Sequence, residues 1–168
     1  MKAARPHGMT STGDPQPVHL AGSVLDRARH VCAFFHSKDE EYAVLLPFIL
    51  EGFERGDRAF HIVDPEHRQQ HLRRLAEAGV DTEAAAARGQ LSVLRWEDAY
   101  LRGGHFDQHA MLALIEEVLT AGKAEGFPLT RLVANMEWAL EDRPGVEDVV
   151  EYETRLNYVL PKYDDAVT

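Results

Sequence analysis

His30, Cys32, Phe34 and His36 occupy alternate positions, so on an extended strand their side chains would share one face. His-x-Cys on such a face offers an imidazole nitrogen and a thiolate to one soft cation. The chain has one cysteine, so further ligands would have to come from His61 or Glu137 across a sheet. A structural site closes with four ligands, and a buried thiol beside a hydrogen-bonded histidine is the simpler expectation. The sequence therefore predicts no bound metal and no cofactor. His67 and His71 stand four residues apart on one helix face, but no HExxH motif is present and their surroundings are polar, so a solvated face is expected there.

Glu137 lies between Met136 and Trp138, where loss of water would suit it to proton transfer or to accepting a hydrogen bond from a ligand. A structural pairing with Arg131 or Arg155 is the alternative. The stretch from His36 to Tyr42 contains no glycine, GxxxxGK[ST] is missing, and nothing there could wrap a triphosphate in backbone amides. GxGxxG is also missing. Cys32 falls inside an expected strand and not on the sharp strand-to-helix turn that exposes a nucleophile. The chain is thus expected not to be an enzyme; catalysis with Glu137 as general base, helped by Asp64 or His36, is the weaker alternative.

These residues need elements to hold them. Short apolar runs alternate with amphipathic stretches from His30 onward, which is the rhythm of strand, helix, strand. Strands are expected at His30–Phe35, Ala59–Asp64, Leu91–Trp96 and Arg131–Glu137. Ser37 with Glu40 forms a capping box for a helix that ends at Gly56, a polar helix follows from His67 to Ala78, and a short alanine-rich piece reaches Arg88. Asp107 caps a helix whose Met111, Leu114, Ile115, Val118 and Leu119 recur at buried-stripe spacing, and Pro144 opens a last helix carrying Tyr152 and Leu156. Four strands each followed by helix predict an α/β fold, a mostly parallel sheet flanked by helices on both faces. In such sheets ligands sit beyond the carboxyl ends of the strands. There the sequence places Phe35, His36, Asp64, Trp96, Tyr100, Glu137 and Trp138, with His30 and Cys32 close behind. Aromatic rings mixed with carboxylates suit a small, mostly apolar organic ligand.

Composition narrows the class. Residues 168 in number fit one domain, and a net charge of -10, from 18 basic and 28 acidic residues, gives no electrostatic drive toward nucleic acid. The lone cysteine, the lack of a ~20-residue apolar run and the lack of a secretory h-region point to a reducing cytoplasm. Residues 1–25, rich in Pro, Gly and Ser, are expected to be a flexible tail before a domain at 26–168.

The runs His30–Phe35, Glu40-Glu41, Glu51–Asp57, Gly89–Leu94, Tyr100–Phe106, Met136–Leu140 and Tyr152-Glu153 with Asn157 together resemble the MEDS domain, the methanogen/methylotroph, DcmR-type sensory domain. The resemblance implies a RecA/KaiC-like three-layer sandwich lacking a Walker A loop, acting as a detector of hydrocarbon derivatives or similar small molecules in prokaryotic signalling. It carries the family's characteristic residues onto His30, Cys32, Glu41, Gly52, Gly56, Glu137, Trp138, Tyr152 and Glu153. A separate kinase, phosphatase or transcription regulator is the expected partner, with no nucleic acid or membrane bound directly. The alternative is an adaptor or anti-sigma-type protein without a small ligand. Because the family pattern continues into another strand and helix, an open sheet edge and a homodimer through it are also expected.

Overall fold

The computed structural model describes residues 17–26 and 29–168. Helix α1, Lys38–Arg55, starts where its sequence signature says it should. Ser37 Oγ accepts from the Glu40 amide, while the Glu40 carboxylate accepts from the amide of His36 at 2.7 Å, so two otherwise orphaned donors are satisfied reciprocally. Gly56 ends the helix in the left-handed region at φ 78°, where a side chain would be strained. The chain then lays down strand β3, Arg58–Val63, helices α2, Arg68–Glu77, and α3, Thr82–Ala87, and strand β4, Leu91–Arg95. Helix α4, Gln108–Ala124, is capped by Asp107, whose carboxylate accepts from the amides of His109 and Ala110. Strand β5, Thr130–Ala134, helix α5, Val149–Val159, and the short strand β6, Ala166–Val167, complete the domain.

The sheet has the order β4-β3-β5-β6 and every pairing in it is parallel. Strand alternation splits its side chains between two cores. Ala59, Leu91 and Val133 pack with Leu45, Phe48 and Ile49 of α1, Leu75 of α2 and Ala85 of α3. Phe60, Ile62 and Leu132 pack on the other face with Met111, Ile115 and Leu119 of α4 and Tyr152 and Leu156 of α5. The result is the expected α/β arrangement, a parallel sheet between two helical layers.

Three expectations are corrected. His30–Phe35 is not a strand. Only His30 forms a bridge, to Val167, with the Val31 amide donating to Val167 O at 2.9 Å and the Val167 amide to Arg29 O at 2.7 Å. β6 is two residues long, so residues 32–35 have no ladder partner and leave the sheet. The outer side of β6 is accordingly covered by residues 29–31, and β4 is the terminal strand in the sheet order. Part of the supposed tail is also ordered: strands β1, Val18–Leu20, and β2, Ser23–Leu25, make an antiparallel hairpin. Burial drives this, since Val18 and Leu20 are 0% and 6% exposed and join the α1 core. Residues 1–16 lie outside the described residues.

Beneath the hairpin, Arg131 is 1% exposed and paired with Asp57 and Glu51, both at 2.8 Å, while Nη1 also donates to Phe48 O. Gly52 on α1 lies against this guanidinium stem, where a Cβ would come 2.7 Å from Arg131 Cδ.

A cavity at the ends of β5 and β6

Beyond the carboxyl ends of β5 and β6 the structure encloses a cavity of about 570 Å³, within the usual range for small-molecule sites. Its walls come from the segment 30–37, the start of α1 at Lys38, Glu41 and Leu45, the β5 exit at Asn135, Met136 and Glu137, and the inner face of α5. Most of the lining is apolar, including Phe35, Leu45, Met136, Ala139, Val149 and Leu156. Phe34 and Leu140, 94% and 89% exposed, belong to the same wall.

Two polar clusters interrupt it. In the first, Glu153 Oε2 lies 3.2 Å from His30 Nε2 and accepts from Cys32 Sγ at 3.5 Å. Asn157, one turn further along α5, donates its Nδ2 to the Glu153 carbonyl at 3.1 Å and presents Oδ1 to His30 Nδ1 at 3.1 Å. The hydrogen bond that His30 Nε2 donates to Glu153 holds its imidazole above the ordinary range, although burial works against it. Burial, helped by the negative charge of Glu153, pushes the Cys32 thiol up, so without another cation nearby Cys32 stays protonated.

In the second cluster Lys38 reaches from the first turn of α1 to Glu41 at 2.8 Å and to Glu137. Asn135 Nδ2 donates to the other oxygen of Glu41 at 2.9 Å. Burial lowers the Lys38 ammonium, but its bonds to Glu137 and Glu41 outweigh that, and the group ends above its usual value. Glu137 Oε2 is buried without a partner among the described residues. An acceptor of this kind, set in an apolar wall, suits a donor group on an incoming molecule.

Of the residues singled out from the sequence, His30, Cys32, Phe35, His36, Tyr100 and Glu137 line the cavity. Asp64, Trp96 and Trp138 do not. Asp64 closes the turn after β3, pairing with His67 at 2.7 Å and accepting from the Glu66 amide. Trp96 is buried, its Nε1 donating to Asn135 O at 3.0 Å. Trp138 is fully buried, 5.1 Å from the rings of both Tyr100 and Phe106. Glu137 pairs with Lys38, not with Arg131 or Arg155. His71 is not on a solvated face: it is 5% exposed and bonded to His61 and Tyr42.

The residues that reading the strand ends missed are Lys38, Asn135, Tyr152, Glu153 and Asn157. Tyr152, Glu153 and Asn157 belong to one helix, and Glu153 with Asn157 stand at i, i+4, which places them on one face. Their partners on segment 30–32 lie more than a hundred positions away, beyond any local pattern.

No helix among the described residues is long and apolar enough to cross a membrane. The family model described as MEthanogen/methylotroph, DcmR Sensory domain matches residues 29–168. The transcriptional repressor DcmR of Methylorubrum extorquens is 28% identical over 158 residues, which are 94% of this chain and 56% of that protein. The chain thus spans about half the length of this curated relative. No solved structure matches.

Proposed function

Because the chain belongs to the MEDS family of sensory domains, we propose that it is the ligand-sensing part of a prokaryotic transcription-regulation system, with a small, mostly apolar organic molecule as its signal. The family is sensory, so the chain is a regulatory protein and not an enzyme. The observation that carries the reading is the cavity of about 570 Å³, apolar in most of its wall and polar at two places. An apolar body would displace water from Phe35, Met136 and Leu156, and the two clusters would orient whatever polar group it bears. The similarity to a repressor supports a transcriptional output. That output passes to a separate regulator in the cytoplasm, and Phe34 and Leu140 on the exposed rim supply apolar surface whose arrangement would depend on cavity occupancy.

A thermal-shift screen with small alcohols, thiols, amines and hydrocarbons tests the reading. A molecule bound only by the folded form raises stability by RT ln(1 + [L]/Kd). A shift that disappears when Ala139 is enlarged to Phe supports the cavity as the site; a full panel without any shift overturns it.

A further inference from the structure

We propose that His30, Cys32 and Glu153 form a binding site for a Zn²⁺-class divalent cation, with its fourth coordination position open to the cavity. The ligand atoms of the three residues all lie within 4.8 Å of one another. The two separations from Glu153 Oε2 are 3.2 Å to His30 Nε2 and 3.5 Å to Cys32 Sγ. Around a tetrahedral ion with metal–ligand bonds of ~2.0 Å to N and O and ~2.3 Å to S, the corresponding edges are roughly 3.3 Å and 3.5 Å. Both donors therefore already stand from Glu153 as such an ion would hold them, and the remaining pair, His30 and Cys32, lies within 4.8 Å and would draw together on binding.

The outer contacts are those a metal-binding histidine needs. Asn157 Nδ2 is committed to the Glu153 carbonyl, which turns Oδ1 toward His30 Nδ1. Oδ1 can only accept, so a proton sits on Nδ1; the Nε2 proton, which Glu153 accepts in the metal-free protein, would leave on metal binding and free the Nε2 lone pair for the ion. Charge balance agrees: one thiolate and one carboxylate neutralise a divalent ion, and a neutral complex is the one an apolar cavity tolerates. Cys32 is exposed, which provides an access route.

The sequence-based expectation of no metal rested on counting four ligands for a closed site. Glu153 supplies a third protein ligand from α5, and three ligands with one open position is the arrangement that leaves a metal free to take an external donor. Residues His30, Cys32 and Glu153 all line the cavity. A small molecule carrying a thiol, amine or hydroxyl could thus be anchored on the ion; this second step, unlike the metal site itself, rests on the ligand-sensing reading above.

The test begins with chelator-stripped full-length protein titrated with Co²⁺. One equivalent is expected to give a thiolate-to-cobalt charge-transfer band, which Zn²⁺ then abolishes by displacement. Cys32→Ser should remove the band while melting like the unaltered protein, because Cys32 is exposed. Glu153→Gln and Asn157→Ala should each weaken Zn²⁺ at least about tenfold in competition, and Asn157→Asp, which still accepts from Nδ1, should restore it. Absence of the band in the unaltered protein, or its survival in Cys32→Ser, overturns the site. Screening the same panel of small molecules with and without Zn²⁺ separates the two readings. Shifts seen only with Zn²⁺ support the anchor, and equal shifts in both conditions retain the cavity and overturn the anchor. A formed cobalt site with no shift from any molecule retains the metal and overturns ligand sensing.

Discussion

His61 Nδ1 lies 2.8 Å from Nε2 of His71, deep between β3 and α2, and His71 Nδ1 lies 2.8 Å from the hydroxyl of Tyr42. His61 Nε2 is buried without a partner among the described residues. The tautomers that leave no buried N–H without an acceptor have His61 donating to His71 and His71 donating to Tyr42. Both rings are then neutral. Burial pushes His61 well below 6.5, with His71 beside it adding to the effect, and burial with the charge of Lys38 takes His71 down to about 4. Arg74 stands over the Tyr42 ring at 4.5 Å and adds to the positive surroundings.

This pair predicts acid sensitivity. In the unfolded chain both imidazoles bind protons below about pH 6.5, whereas in the fold His71 stays neutral down to about pH 4 and His61 is held neutral well below its ordinary range, so the unfolded state binds more protons there and stability drops as the pH is lowered. The gap at His71, at about 1.4 kcal/mol per pH unit, amounts to roughly 3 kcal/mol. Urea midpoints measured from pH 7.5 to pH 4.5 should drop steeply. The profile of a His61→Phe, His71→Phe double variant should be flatter whatever its absolute stability; a parallel profile would refute the assignment.

The hairpin predicts that removing residues 1–25 destabilises the domain. Val18 and Leu20 are almost fully buried, and each such side chain contributes about 1.5–3 kcal/mol. Its loss also removes His19 from Glu51, to which its ring lies at 2.5 Å. A fall of roughly 3–5 kcal/mol in unfolding free energy is expected; unchanged denaturation curves would show the segment to be dispensable.

Gly52→Ala should be costly for a helix position where alanine is normally the better residue. The added Cβ would meet Arg131 Cδ at 2.7 Å and Nε at 2.9 Å, and displacing this side chain disturbs its pairs with Asp57 and Glu51. Breaking a buried ion pair by removing one partner costs about 3–5 kcal/mol, so a loss of roughly 2–4 kcal/mol is expected from partial displacement. Calorimetry showing a gain would mean that Arg131 relaxes freely.

Lys38→Met should leave Glu41 and Glu137 facing one another without their shared cation, at a cost of about 1–2 kcal/mol. Adding Glu137→Gln should recover part of this loss. A double-mutant cycle with no coupling would place the two side chains further apart in solution than they are here.

Phe34→Ser is expected to change stability by no more than about 0.5 kcal/mol, because the ring is 94% exposed. The same variant should weaken binding of any cavity ligand severalfold, since Phe34 belongs to the wall. Equal affinity by calorimetric titration would remove it from the site.

Local chemistry was well legible in the sequence. Ser37 with Glu40, Gly56 and Asp107 mark helix boundaries through bonds that reach no more than four residues, and the structure has all of them. Strand His30–Phe35 failed because a strand is defined by its neighbour, and a two-residue β6 gives pairing to His30 alone. His71 was misjudged for a similar reason: a polar helix gives no sign that Tyr42 and His61 wait on two other elements. At the site, strand-end logic found Glu137 and Tyr100 but also selected Asp64 and Trp96, because it cannot tell which strand ends border the opening. Lys38 and Asn157 act through partners 99 and 127 positions away, a separation no spacing rule spans.

The position of Tyr100, lining the cavity with its ring 5.1 Å from that of Trp138, has an optical consequence. Trp138 is wholly shielded and packed among Tyr100 and Phe106, so its emission should be blue and insensitive to iodide. A molecule that displaces Tyr100 by a fraction of an ångström changes the dielectric and quenching environment of that indole without touching it. Trp138 is thus a built-in fluorophore one ring removed from the cavity, and with the second tryptophan removed by Trp96→Phe its intensity at a single wavelength is expected to follow occupancy with no dye attached.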